Sequence, residues 1–190
     1  MSIKIVALFA PAGAGKDYVL NYICENYVVN KIVSHSSRPP RQGEVNGEAY
    51  HFISEDCFAT KIQQGDFLEY TSFRNWYYGT SRSALSRDII NVGVFNISGI
   101  KELLKDRHVE VYPVYINALD KTRLLRQLER EDFPDCGEIC RRFETDKEDF
   151  KRINFNFKSL NNDDSSTKQL SSDVDELWSK LFNFKIEKRI

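Results

Sequence analysis

Two periods organise the apolar positions of this chain. Ile3–Phe9 is a nearly unbroken apolar run that ends in Ala10-Pro11-Ala12-Gly13-Ala14-Gly15, which predicts a buried strand entering a tight loop. Val19, Leu20 and Ile23 then recur at helical spacing, predicting a helix over Lys16–Asn26. A short strand is expected at 31–34, followed by a polar stretch punctuated by Pro and Gly over 35–47. Phe67–Phe73 alternates loosely, with aromatics that suit a strand. Downstream, a helix is expected over 82–91 and strands over 92–97 and 109–116. Leu124, Leu125 and Leu128 mark a helix with Asp120 as its N-cap. Beyond Pro134 and Gly137, the residues Ile139, Phe143 and Phe150 mark the next helix. A last strand is expected over 155–160 and a mobile polar loop over 161–172. Val174, Leu177, Trp178, Leu181 and Phe182 then form the apolar stripe of a final helix.

Strands alternating with helices predict an α/β fold with a mainly parallel sheet covered on both faces. At 190 residues the chain suits one such domain, and no repeat or linker divides it. Net charge is −1, so no global field draws it to nucleic acid or anionic membrane, and an anionic ligand needs a local cluster of Arg and Lys. Cys24, Cys57, Cys136 and Cys140 form no CxxC pair, which argues against zinc and for plain thiols in a reducing compartment. Met1 leads straight into a short apolar strand with no signal-peptide pattern, and no run reaches the ~18 apolar residues of a membrane span. A cytoplasmic protein is expected.

The strand–loop–helix junction carries the first chemical signal. A phosphate-binding Walker A loop reads Gly-x-x-x-x-Gly-Lys-Ser/Thr, its backbone N–H groups converging on phosphate oxygens at a helix N-terminus. Here Ala12, Gly13, Ala14, Gly15, Lys16 and Asp17 occupy that position; Ala10 replaces the first glycine and Asp17 the hydroxyl residue. Lys16 is placed to reach the β- and γ-phosphates of a nucleotide. The segment from Ser34 to Phe52 carries a second one: Arg38 and Arg41 suit a bidentate grip on a phosphate, and a tyrosine hydroxyl would complete the cage.

The segment Ser34-His35-Ser36-Ser37-Arg38-Pro39-Pro40-Arg41-Gln42-Gly43-Glu44-Val45-Asn46-Gly47-Glu48-Ala49-Tyr50-His51-Phe52 resembles one found in guanylate kinases. That family's pattern is Ser-x-Thr-Thr-Arg-x-Pro-Arg-x-Gly-Glu-x-x-Gly-x-x-Tyr-x-Phe. Its Phe-hydrophobic-Glu strand and following Tyr-Tyr-Gly-Ser/Thr are matched by Phe67-Leu68-Glu69 and Tyr77-Tyr78-Gly79-Thr80. The resemblance spans residues 3–184. It implies a P-loop kinase core (1–33, 81–119 and 154–190), an acceptor-binding insertion (34–80) and a helical lid (120–153). It further implies that Arg38, Arg41, Tyr50 and Tyr78 hold the acceptor phosphate, and that Ser34, Glu69 and Thr80 face guanine. Chemistry supports Glu69 independently, because guanine presents N1–H and N2–H₂ side by side to one carboxylate.

Arg123, Arg126 and Arg130 follow at helical spacing, with Arg141 and Arg142 on the next helix. In the family such lid arginines close over the phosphates of ATP; Arg130 and Arg142 are the best matches, and with Lys16 they are the expected catalytic residues. The family ends its central strand on Asp-x-Asp before a glycine, whereas this chain reads Val94-Phe95-Asn96-Ile97-Ser98-Gly99. Asp17 is the residue that would replace the missing carboxylate beside Mg²⁺. The expectation is transfer of a phosphoryl group from ATP to GMP or dGMP by a monomer or homodimer. A kinase of broader base choice and a silent binding module are the alternatives.

Overall fold

A computed structural model of the chain describes residues 2–41, 43–73, 75–130, 132–163 and 167–182. The elements in order are β1 (Ile3–Phe9), α1 (Lys16–Asn26), β2 (Val29–Lys31), β3 (His35–Ser36), β4 (His51–Phe52), α2 (Glu55–Gln63), β5 (Phe67–Phe73) and β6 (Trp76–Ser81). There follow β7 (Ile90–Val94), α3 (Ile97–Leu103), β8 (Val109–Asn117), α4 (Asp120–Leu128), α5 (Cys136–Phe150), β9 (Lys158–Asn161) and α6 (Thr167–Phe182).

Five strands form a parallel sheet in the order β2-β7-β1-β8-β9. The central strand β1 is buried on both faces, which is why it reads as a continuous apolar run. Val6 and Leu8 face one core with Val19, Leu20 and Ile23 of α1 and Val174, Trp178 and Phe182 of α6. Ile5, Ala7 and Phe9 face the other core, where Ile100 and Leu103 of α3 are buried and Phe150 of α5 packs. Helices on both faces make every sequence-to-sheet connection a crossover, as parallel pairing demands. A second sheet, β4-β3-β6-β5, stands on the segment between β2 and β7.

Several expectations shift. The helix expected over 82–91 is a single 3₁₀ turn, Arg82–Ala84, and the strand begins at Ile90 rather than at 92. The cause is Asn91, fully buried, whose side chain takes the Ser86 N–H at 2.7 Å and donates to the Ser86 carbonyl at 2.8 Å, fixing a loop instead. The strand expected at 31–34 is β2, ending at Lys31. The strand expected over 92–97 also ends at Val94 rather than at 97, and Ile97 with residues 98–103, the latter given no element by their periodicity, forms α3, which Asn96 caps by accepting from Gly99 N–H at 2.7 Å. Helix α2 was also illegible in the pattern; it starts on a Ser54 cap and buries Phe58. Thr167–Phe182 is helical, so the second half of the stretch expected as loop belongs to α6. Asp120 is the first helical residue of α4, and Leu119 is the N-cap.

Candidate functional site

The phosphate loop lies at the carboxyl end of β1, at the edge of the sheet where the crossovers leave room for a ligand. Gly13 and Gly15 adopt φ of 79° and 90°, left-handed backbone that an L side chain resists. Space forbids one as well: a Cβ on Gly13 would sit 2.5 Å from the Arg123 carbonyl oxygen, and one on Gly15 2.2 Å from Asn162 Nδ2.

Three consecutive loop carbonyls are drawn outward by side chains from other elements. Arg123 Nε donates to Ala12 O at 3.0 Å, Arg126 Nη1 to Gly13 O at 3.5 Å, and Asn162 Nδ2 to Ala14 O at 2.8 Å. Each peptide is planar, so a carbonyl held outward sends the next residue's N–H the opposite way. Among the described residues, no protein group accepts from the N–H of Gly13, Gly15, Lys16 or Asp17. The result is a cup of free donors at the start of an 11-residue helix, the arrangement that binds phosphate. Lys16 is one-third exposed, with Nζ 3.3 Å from Asp17 Oδ2; Asp17 is largely exposed.

Of the arginine series, the structure brings Arg123 and Arg126 to the loop, not Arg130 and Arg142. Arg142 Nε is held by Glu138 Oε1 at 2.7 Å within α5, and Arg130 is exposed beyond the end of α4. Arg123 is only 4% exposed and Asn162 only 7%. Arg123 stood in the helical arginine series and three residues after Asp120, a signal present in the sequence. Nothing local marks Asn162, which reaches the loop only because β9 lies beside β8.

The second cluster stands on the small sheet. Glu69 on β5 is 7% exposed, and a register shift between Phe67 and Glu69 re-aims it toward the start of α3. Ser34 Oγ lies 3.0 Å from Thr80 Oγ1, and Thr80 hydrogen-bonds Glu69 through its hydroxyl and backbone. Burial outweighs those bonds and pushes the Glu69 carboxyl from 4.5 up to about 7. Gly99 makes this position possible, since a Cβ there would lie 2.7 Å from Glu69 Oε2. The structure therefore joins Ser34, Glu69 and Thr80 in one chain of hydrogen bonds, with Gly99 as a neighbour that the sequence reading left out.

Arg38 is buried, and Glu44 holds it end-on through Nη1 and Nη2, both at 2.7 Å; Nη1 also donates to Pro39 O at 2.9 Å. Its guanidinium lies 5.2 Å from the Tyr50 ring and 5.3 Å from Phe52. Three of its N–H groups are thus committed, leaving the Nε–H and one Nη2–H on the side edge as a fork for an oxyanion. Tyr50 packs edge-on against Tyr78 at 5.8 Å, and burial raises its hydroxyl pKa. The Arg41 backbone N–H binds Glu44 at 2.8 Å while the residue itself is exposed. The Asp17 charge at the phosphate loop adds to the upward shift of the Tyr50 hydroxyl.

The chain carries a buried carboxylate, an arginine with one free edge and a loop of free N–H donors, and the guanylate kinase family model matches residues 2–177. The chain belongs to the guanylate kinase family. It is 47% identical over 77 residues to a guanylate kinase of Alkalilimnicola ehrlichii, covering 40% of this chain and 38% of that one. A guanylate kinase of Chlamydia muridarum is 33% identical over 135 residues (68% of this chain, 65% of the relative). One from Sus scrofa is 30% identical over 141 residues (69% and 71%). The matched stretch is thus less than two thirds of the first relative's length. The crystal structure of guanylate kinase from Anaplasma phagocytophilum superposes with a TM-score of 0.66 at 12% identity, over 99% of this chain and 91% of that one, which shows a common fold. No helix among the described residues is long and apolar enough to cross a membrane.

Proposed function

We propose that this chain transfers the γ-phosphoryl group of ATP to GMP or dGMP, yielding GDP or dGDP. The observation that carries the reading is Glu69, a carboxyl buried to 7% exposure and tied to Thr80, in a chain that also holds a loop of free N–H donors. A buried carboxyl costs stability unless something needs it there, and adjacent N–H donors on a guanine are such a partner. Adenine offers no such paired donor edge.

The loop N–H groups and Lys16 would hold the donor phosphates, with Arg126 adding charge behind Gly13. The free edge of Arg38, with Arg41 and the Tyr50 and Tyr78 hydroxyls, would grip the acceptor phosphate. Arg130 and Arg142 remain the lid residues for the transferring group, and reaching it requires Arg142 to leave Glu138. No general base is required, because the attacking phosphate oxygen is already anionic; positioning and electrostatics do the work.

The residues present fit a magnesium ion. Asp17 is an exposed carboxylate at the loop, and Mg²⁺ needs only one or two such groups beside phosphate oxygens and water. When bound, Mg²⁺ would neutralise charge between donor phosphates. A coupled assay with ATP against GMP, dGMP, AMP, CMP, UMP and dTMP tests the reading. Selective turnover of the guanine nucleotides supports it; comparable rates with AMP would shift it to a kinase of broad base choice, and no turnover to a binding module.

A further inference from the structure

Beyond the groups that would touch nucleotide, one ionic cluster around the buried Arg123 ties the lid helix to the phosphate loop. Arg123 of α4 spends its guanidinium on three elements. Nη1 donates to Asp120 at 3.0 Å, Nε to the loop carbonyl of Ala12 at 3.0 Å, and Nη2 to Asp146 of α5 at 2.9 Å. Its plane lies 4.3 Å over the Phe143 ring, also on α5. Asp146 Oδ2 accepts the Ala12 N–H as well, at 2.7 Å. Both polar groups of Ala12 are therefore taken by one pair, Ala12 O by Arg123 and Ala12 N–H by Asp146.

That arrangement has a mechanical consequence. Fixing the Ala12 carbonyl fixes the plane of the Ala12–Gly13 peptide, and with it the direction of the Gly13 N–H, one of the free donors. Fixing the Ala12 N–H to Asp146 fixes where α5 sits over the loop, four residues from Arg142 on the same helix. A buried ion pair is a poor choice if stability alone were at issue, since apolar residues of similar volume serve as well or better. Here its directional bonds reach two backbone atoms that no apolar pair could hold.

We infer that Arg123 and Asp146 are positioning residues for donor binding and phosphoryl transfer: they set the Ala12–Gly13 peptide and dock the lid helix on it. The inference rests on the function proposed above, so its test reads the donor side separately from turnover. The double variant Arg123→Met with Asp146→Leu replaces the pair by apolar side chains of similar size. Four quantities are measured on it and on the parent: Tm, the Kd of the non-hydrolysable analogue AMPPNP, and kcat and KM with GMP.

The expected result is a Tm within a few degrees of the parent, AMPPNP binding at least about tenfold weaker and kcat down by about tenfold or more, with KM for GMP within about threefold. A folded double variant with parental AMPPNP binding and kcat would overturn the inference and leave the pair as packing. If the double variant loses its fold, Asp146→Leu alone decides, because it removes the acceptor of both the Ala12 N–H and the Arg123 Nη2 bond and keeps the volume. Weakened AMPPNP binding in that variant at parental Tm upholds the inference, and unchanged binding sinks it. AMPPNP binding is independent of the acceptor, so a parent that binds it yet fails to turn over GMP would indict the proposed function instead.

Discussion

The two sides of the proposed nucleotide site are built on different principles. On the donor side the ligand-facing groups are backbone N–H, and the protein's effort goes into holding the carbonyls away from them: Arg123, Arg126 and Asn162 each take one. On the acceptor side the ligand-facing groups are side chains, and the two buried charged ones, Arg38 and Glu69, are already engaged within the protein. Arg38 is clasped by Glu44, whose own carboxyl is held down to about 2 chiefly by that bond, while Glu69 is raised to about 7 by burial. Backbone donors are neutral and can stand ready at little cost, whereas a desolvated charge must be paired or must change its protonation. On the proposed function the donor side would be preorganised, and the acceptor side would draw its selectivity from charges that a correct ligand relieves.

The largest expected effect breaks the donor side. Lys16→Met should lower kcat by about 10²–10³-fold with Tm nearly unchanged, because a one-third exposed cation carries little of the fold. Single-turnover rates with GMP and a melting curve check both halves. A loss below about tenfold would remove Lys16 from the transferring phosphate.

Glu69→Gln tests the acceptor side. It should cost about 2–4 kcal/mol in kcat/KM for GMP, as a neutral amide turns an NH₂ against guanine's donors. The same change should raise stability above pH 7. Because the folded carboxyl titrates near 7 rather than 4.5, the folded state holds the proton between those values, so parent stability falls as pH rises through that window. The penalty is on the order of 2–3 kcal/mol above pH 7. Tm against pH from 4 to 9 should show a slope in the parent that the variant lacks, and GMP affinity should strengthen from pH 6 to 8 in the parent alone. Parallel Tm profiles would mean that the carboxyl titrates normally.

Glu44→Gln sharpens the contrast by freeing Arg38 from its charge partner. Arg38 is buried and Glu44 only partly so, and the expected loss is about 1–2 kcal/mol. Bound GMP should restore more Tm in the variant than in the parent, since its phosphate on the side edge of Arg38 would then supply the charge that Glu44 no longer does. The Glu44 carboxyl lies below its ordinary 4.5, so this pair stabilises the parent above that pH and fades as pH falls toward 2. Equal Tm gains with GMP would place the acceptor phosphate away from Arg38.

The smallest effect concerns the metal. Asp17→Ser should raise the Mg²⁺ requirement a few-fold, and Asn96→Asp added to it should restore part of the loss. Aspartate caps a helix as well as asparagine does, so α3 should tolerate the change. Mg²⁺ titrations of parent, singles and double decide it. Additive effects would leave Asp17 as a helix-terminal charge.

The sequence by itself determined the strand β1, the glycine-bearing loop after it and α1, because each rests on signals confined to neighbouring residues; Glu69 and Arg38 were singled out with the help of a family pattern spread over several segments. Periodicity and glycine placement are both local. Helix α3 escaped because its burial is set by Gly99 and Ile100 meeting β5, and the 82–91 stretch misled because one buried asparagine redirects it. Only the tertiary structure decided which arginines meet the loop. Arg123, Arg126, Arg130 and Arg142 differ little in sequence signal, and their roles depend on how α4 and α5 pack over β1. Asn162 had no local signal at all. Its side chain reaches Ala14 O because β8 and β9 pair in parallel register, which carries the end of β9 to the loop 148 positions away in sequence.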